Sequence, residues 1–357
     1  MPGDLADKPS LSESPFRREM RAIMDGEQFL PQSAARRQHY VPAFSLAQFA
    51  RPAGARKGWL QQLDVQSGTP ARTRPEDAAF RPDLYTYEDS HGEMSRSVEA
   101  FFSIIEKHAA PALACLRERP ADLTPQDRDT IAYFLALQES RIPAGLMRSE
   151  RLRQAAMEIQ AGLDLASTSR FREAFKSDVV DSLSPEKLEE MRSRMQEQLL
   201  EGRVSYASPR TGALSQIIGG AGELAKEIYS LDWTVLTAEG AEFITSDRPV
   251  SMVDLTPEYP WSGNAWNSSS GAISFYPLSS TTGLFMTPGN CGFSLATSTP
   301  EHVRRLNLMT YGWAERFIYG TTQVVVTEVR RQARRHSAEV ARRKSLKVRP
   351  ARARRSA

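Results

Sequence analysis

Hydrophobic positions change their period near residue 233. From about 95 to 230 they recur at three- and four-residue spacing, the mark of helices. From 233 to 297 they form short β-branched or aromatic runs separated by turn residues, the mark of strands. In 95–118, Val98, Phe101, Phe102, Ile105 and Ala109 share one face, and Pro111, which has no N–H, is expected to end or kink the helix. Thr124-Pro125 is a start signal, with threonine as cap and proline at the first helical position. Ile131, Phe134, Leu135 and Leu137 bury that helix, and it should stop near Arg141, because the residue before Pro143 disfavours helix. Residues 144–164 and 185–202 read as charge-laced amphipathic helices. Residues 212–230 read as another, weakened by Gly219, Gly220 and Gly222.

Strands are expected at 233–237, 242–246, 251–254, 273–276, 282–287 and 293–297, as an antiparallel meander, followed by a helix at 300–315. Earlier, 59–65 reads as a strand with Trp59, Leu63 and Val65 on one side and a turn at Ser67-Gly68, and 70–92 reads as loop with an extended piece at 84–87. Residues 321–329 are ambiguous: their composition suggests a strand, the following arginines a helix. No internal repeat is present. The fold class is therefore α+β: a mostly helical N-terminal two-thirds packed with an antiparallel β-meander, a late helix and a basic C-terminal tail. Residues 1–34 are expected to be a partly disordered arm, 35–329 a single domain, and 330–357 a basic tail, helical or disordered.

Charge divides the chain in the same way. Of 357 residues with net charge +3, residues 330–357 hold 12 of the 46 Lys and Arg and a single acid, Glu339, for +11; the rest sums to −8. The excess of Arg over Lys reads as codon usage rather than phosphate binding. No apolar run approaches the roughly 18 residues that cross a bilayer, and the first 25 residues lack the apolar stretch of a signal peptide, so a cytoplasmic protein away from membranes is expected. Cys115 and Cys291, the only cysteines, cannot build a Cys-rich zinc site, and a reducing compartment argues against a disulfide.

The familiar signatures of P-loop ATPases, zincins, thioredoxins and α/β-hydrolases are absent. Gly220-Ala221-Gly222-Glu223-Leu224-Ala225, with Glu239 further on, fits a loose dinucleotide pattern but lacks the preceding buried strand, so a helix with small residues against a neighbour is the better reading. Other strings carry more. Pro42 holds Val41 extended and so directs the chain leaving His39, which suits a general base or metal ligand, or a histidine bonded in a core seam. Glu99 and Glu106 lie two helical turns apart. Gln138 and Arg141 share a face, which suits either an interhelical Glu–Arg pair or an arginine facing an anion. Thr245-Ser246-Asp247-Arg248-Pro249 places a carboxylate at a strand end, for a metal, a base or an Asx-turn. Residues 255–272, with Trp261 and Trp266, read as a binding loop or a surface loop anchored by tryptophan.

In this order the strings resemble a bacterial family of unknown function with a His-Tyr-Val-Pro motif: His39-Tyr40-Val41-Pro42 with Leu46 and Phe49, Leu84-Tyr85-Thr86, Glu99 and Glu106, Gln138, Arg141 and Pro143, Thr245-Ser246-Asp247 with Pro249, Pro277-Leu278, and Asn307. The resemblance runs from about residue 37 to 330. Two positions depart from the pattern: Ser45 replaces an aromatic, and Arg248 replaces a small polar residue and is expected to be able to pair with Asp247. The resemblance indicates which residues cluster and names no reaction.

His39, Glu106, Gln138, Arg141, Asp247 and Asn307 are expected to converge on one polar pocket between helices and sheet. His39, Asp247, Glu106 and Arg141 are the catalytic candidates, and Gln138, Asn307 and Ser246 the substrate-binding ones. His39, Asp247 and Glu106 are candidate ligands for Mg²⁺ or Mn²⁺, in a metal-assisted hydrolase of the phosphodiesterase or nuclease type. One alternative is a non-enzymatic or regulatory module that binds nucleic acid or another polyanion through its basic run at 330–355, from Arg330 to Arg355. Another is a satisfied buried network that fixes the fold.

Overall fold

The computed structural model describes residues 14–348 apart from 26–29, 53, 55–56, 90, 204–209 and 255–271. The loop expected at 255–272 thus lies outside the described residues except for Ala272, and so does the tail beyond Val348. The described chain opens with α1 (Pro15–Met24), β1 (Arg37–His39), α2 (Ala43–Leu46), β2 (Leu60–Asp64), β3 (Pro70–Thr73), β4 (Phe80–Pro82), β5 (Tyr87–Glu88) and β6 (Met94–Ser95). Helices follow: α3 (Ser97–Glu118), α4 (Pro125–Ser140), α5 (Pro143–Asp164), α6 (Thr168–Ala174), α7 (Asp178–Asp181), α8 (Pro185–Leu200) and α9 (Arg210–Ser230). Then come β7 (Asp232–Ala238), β8 (Thr245–Ser246), β9 (Ser251–Asp254), β10 (Ala272–Pro277), β11 (Thr282–Thr287) and β12 (Phe293–Ser298). The described chain closes with α10 (Pro300–Trp313), β13 (Phe317–Gly320) and α11 (Gln323–Val348). This is an α+β architecture.

Helix α4 is the central element. Thr124 and Asp127 form a capping box at its start, Pro125 occupies its first turn, and every residue from Arg128 to Glu139 is buried. It packs against α3 and α9. Arg128 joins it to the sheet: its guanidinium donates to the carbonyls of Tyr229, Leu231, Cys291 and Gly292 and stacks on Trp233 at 4.5 Å. Pro111 neither ends nor breaks α3, which runs on to Glu118. Burial of Ala109, Ala112, Leu113 and Leu116 outweighs the single backbone hydrogen bond that proline removes.

Part of the expected N-terminal arm is ordered. Ser14 caps α1, Phe16 and Met20 are buried, and Arg17 grips Asp129 with two bonds, Nε to Oδ2 at 2.7 Å and Nη2 to Oδ1 at 2.5 Å.

The strands form more than a meander. One sheet runs β12-β7-β11-β10-β9, and β12 lies parallel to β7 while the other pairs are antiparallel. A second runs β3-β2-β13-β8 and joins strands from opposite ends of the chain. The stretch expected as loop at 70–92 contributes β3, which closes a hairpin with β2 across the Ser67-Gly68 turn, and β4, which pairs with the more distant β1. In β2 the buried residues are Leu60 and Leu63, on opposite faces; Leu60 joins the main core, and Leu63 joins Ile244, Ile318, Val326 and Val329. Trp59 lies outside, under the guanidinium groups of Arg72 and Arg74.

Residues 321–329 resolve as the end of a turn and the start of α11. That helix crosses the expected tail boundary. Val326, Val329 and Ala333 are buried, and the Arg330 guanidinium lies on the Ser67-Gly68 turn, where a Cβ on Gly68 (φ +79°) would overlap it. Among the described residues, no helix is long and apolar enough to cross a membrane. Removing the Thr124 hydroxyl (Thr124→Ala) should cost about 1 kcal/mol, read as a lower urea midpoint with an unchanged m-value.

Candidate functional site

The α4–α5 junction gathers most of the residues singled out in the sequence. Pro143 opens α5, so α4 stops at Ser140 and Arg141 becomes its C-cap, its N–H bonded to the carbonyl of Leu137. Gln138 and Arg141 then project from one face of the last turn towards the end of β1. There the His39–Phe80 register ends, Tyr40 donates its N–H to Ala79, and Pro42 turns the chain into α2, so the carbonyls of His39 and Tyr40 are left without strand partners. Gln138 Nε2 donates to the Tyr40 carbonyl at 2.7 Å, and Arg141 Nε donates to the same oxygen at 3.2 Å. Arg141 Nη2 donates to the His39 carbonyl at 3.0 Å and to Glu106 Oε1 at 2.8 Å. The Arg141 side chain is 2% exposed and that of Glu106 27%. Phe102 lies 5.0 Å from the guanidinium, and Tyr85 donates its hydroxyl to the Arg141 carbonyl.

Two side chains of this cluster keep reactive capacity. His39 Nε2 lies 3.1 Å from the Glu76 carbonyl, which can only accept, so Nε2 carries a proton and Nδ1 has the lone pair of the neutral ring. Burial holds the His39 pKa below its ordinary value, against the Glu76 bond and the charge of Glu106. Glu99 has a buried Oε2 with no hydrogen-bond partner. Burial raises its pKa to about 7, assisted by Glu106 and opposed by Arg141.

Asp247 forms a separate centre. Its Oδ1 accepts the N–H of Glu315 at 2.9 Å, and its Oδ2 accepts those of Arg316 and Phe317 at 2.8 and 2.9 Å. It fastens the turn that leads into β13. Burial pushes its pKa up to about 6 despite these three donors. Ser246, also buried, donates to the Arg248 carbonyl and accepts that residue's N–H. Arg248 pairs with Glu139 instead of Asp247, and stacks 4.2 Å from Trp313. Glu315 Oε1 accepts the Ala144 N–H in the first turn of α5. Tyr40 lies between the two centres: its carbonyl belongs to the Arg141 cluster, while the charge of Asp247 helps burial to raise its phenol pKa.

Asn307 lies elsewhere. Its amide clamps the approach to β8, accepting from the Ile244 N–H at 3.0 Å and donating to the Glu242 carbonyl at 2.9 Å. It lines a cleft of about 550 Å³ between α10 and α11. The structure therefore brings together His39, Glu106, Gln138 and Arg141, sets Ser246 and Asp247 in a neighbouring centre, and leaves Asn307 apart. Among the described residues, no group of three or more His, Cys, Asp or Glu side chains is arranged to hold a metal ion. Sequence reading missed Tyr85 as an Arg141 partner, Gln38 as the acceptor of the Tyr85 N–H, and Glu139 and Glu315 as bridges. A buried-helix pattern containing Gln138 and Glu139 side by side was the available signal for the last turn of α4.

A family model described as "Protein of unknown function (DUF4238)" matches residues 37–323. The chain belongs to this family. The match begins at β1 and ends as α11 starts, so it contains both polar centres and the Asn307 clamp. No curated protein and no solved structure matches the chain.

Arg141→Ala should destabilise the DUF4238 domain by about 3–5 kcal/mol, because Glu106 and two carbonyls lose their buried donor. Asn307→Ala should cost about 1–3 kcal/mol. Thermal and denaturant unfolding check both. Glu99 and Asp247 hold protons in the folded state that the unfolded chain releases near the ordinary carboxyl values of 4.5 and 3.8. Stability should therefore fall as pH rises from about 4 to about 7, and Glu99→Gln should flatten that fall.

Proposed function

We propose that the chain is a hydrolase of an anionic, phosphodiester-type substrate, reacting at the cluster of His39, Glu99 and Glu106 with Mg²⁺ or Mn²⁺ as its cation. The observation that carries this reading is Glu99, a carboxyl with one buried, partnerless oxygen and a pKa raised to about 7 beside a buried arginine. A carboxyl that keeps its proton near neutral pH can act as a general acid. His39 offers Nδ1 as a base, since Nε2–H is bonded to Glu76. Glu106 joins Arg141 through Oε1 and is partly exposed. A hard cation is commonly held by one or two carboxylates plus the substrate's own phosphate oxygens, which suits a site without a dedicated three-ligand cluster. When bound, the cation would neutralise developing charge on phosphate. Arg141 and Gln138 are positioning residues that fix the main chain at His39, and Asp247, Ser246 and Asn307 hold the strands around it.

A second reading, a buried network without a reaction, is favoured by one observation: Gln138, Asp247 and Asn307 direct their bonds to main-chain groups, as Arg141 does with all but its Glu106 bond. A chromogenic phosphodiester, assayed with and without Mn²⁺, separates the two. The hydrolase reading expects cation-dependent turnover that drops roughly 10²- to 10⁴-fold in His39→Ala and in Glu99→Gln at unchanged Tm, since the Glu99 oxygen has no partner to lose. It also expects kcat to fall above the Glu99 pKa of about 7. Absence of turnover, with both variants losing Tm, would leave the structural reading standing.

A further inference from the structure

Helix α11 begins inside the fold and ends outside it. Val326, Val329 and Ala333 bury one face. At 100° per residue, Arg331, Arg334, Arg335, Ala338 and Arg342 fall on the opposite face, and each of these is exposed. The buried anchor thus turns the arginines into a solvent-facing stripe. It runs twelve residues, Arg331 to Arg342, a rise of about 16 Å along the helix, comparable to about five base pairs of duplex axis. The Arg331 guanidinium reaches back to Glu328, an exposed pair of the weak kind that a phosphate can replace.

We propose that this outer face of α11 binds the phosphate backbone of duplex nucleic acid without reading its sequence. Charge favours that partner: residues 330–357 sum to +11 and the rest of the chain to −8, so the net positive charge that attracts a polyanion is concentrated at the α11 end. The helix has no Phe, Tyr or Trp on which single-stranded bases could stack. Between Arg331 and Arg342 the arginine face carries no large apolar residue to enter a bilayer surface, since only Ala338 interrupts the charges there; the exposed Val324 on the same face lies two turns earlier. The small side chain of Ala338 lets the duplex approach closely. Binding here does not rest on the hydrolase reading, because the stripe lies on α11 beyond the family match that ends at 323.

The test is fluorescence anisotropy of a labelled duplex with the full chain, in salt from about 50 to 200 mM. Three or four phosphate contacts predict a slope of about −3 in log K against log salt. Arg334→Glu with Arg335→Glu should weaken binding more than tenfold and remove about 2 from that slope. Arg334→Lys with Arg335→Lys should retain most of the affinity, and Lys226→Glu, an exposed charge change on α9, should leave it unchanged. Circular dichroism and Tm of the double Glu variant should match the parent, because both residues face away from the core. Failure of the full chain to bind duplex at low salt would overturn the proposal. So would equal binding by the double Glu variant, or tighter binding to single strands or to anionic vesicles.

Discussion

The grip of the Arg141 guanidinium on the carbonyls of His39 and Tyr40 is the contact on which the rest of the arrangement depends. Those two oxygens lie where strand pairing has ended and a proline prevents it from resuming, the Tyr40 bond buried and the His39 bond partly so. Unpaired buried carbonyls are costly, and only a planar, multiply donating cation can reach both while also meeting a carboxylate. Arg141 can do so because α4 ends at that residue, releasing its side chain from the helix's outer wall to run back along the last turn.

From this grip the molecule extends in two directions. On one side, Glu106 neutralises the guanidinium, and Glu99, two turns away on α3, is left with a buried oxygen and no positive group of its own. On the other side, the Tyr40 ring leads to Asp247, whose carboxylate gathers three N–H groups of the turn before β13. That turn aligns β13 between β2 and β8, so the sheet that joins the two ends of the chain is registered from the centre. Arg248 meanwhile faces Glu139, which keeps its charge away from Asp247.

The second sheet separates two cores. Leu60 points to the large core around α4, and Leu63 to the smaller one closed by α11. Helix α11 is thus held by its first turns as a structural element, and the same anchor determines which of its arginines face water. The cleft beside Asn307 follows from this closure, since α10 and α11 meet over the clamp on Ile244.

The sequence alone determined the elements with strong local signals. Thr124-Pro125 and Pro143 bounded α4 correctly, and the strands at 233–237, 251–254, 273–276, 282–287 and 293–297 lie where β-branched runs placed them. Capping chemistry, periodicity and proline act within a few residues, so they can be read locally. Tertiary structure decided what depends on distant partners. Pro111 sits inside a helix because the core of α3 outweighs it. β4 exists because β1, some forty residues earlier, completes its hydrogen bonds, and β12 runs parallel to β7. The partner of Arg248 is Glu139, and Asn307 clamps a strand instead of joining His39. Each of these is settled by burial and pairing between residues up to hundreds of positions apart, which no local pattern encodes.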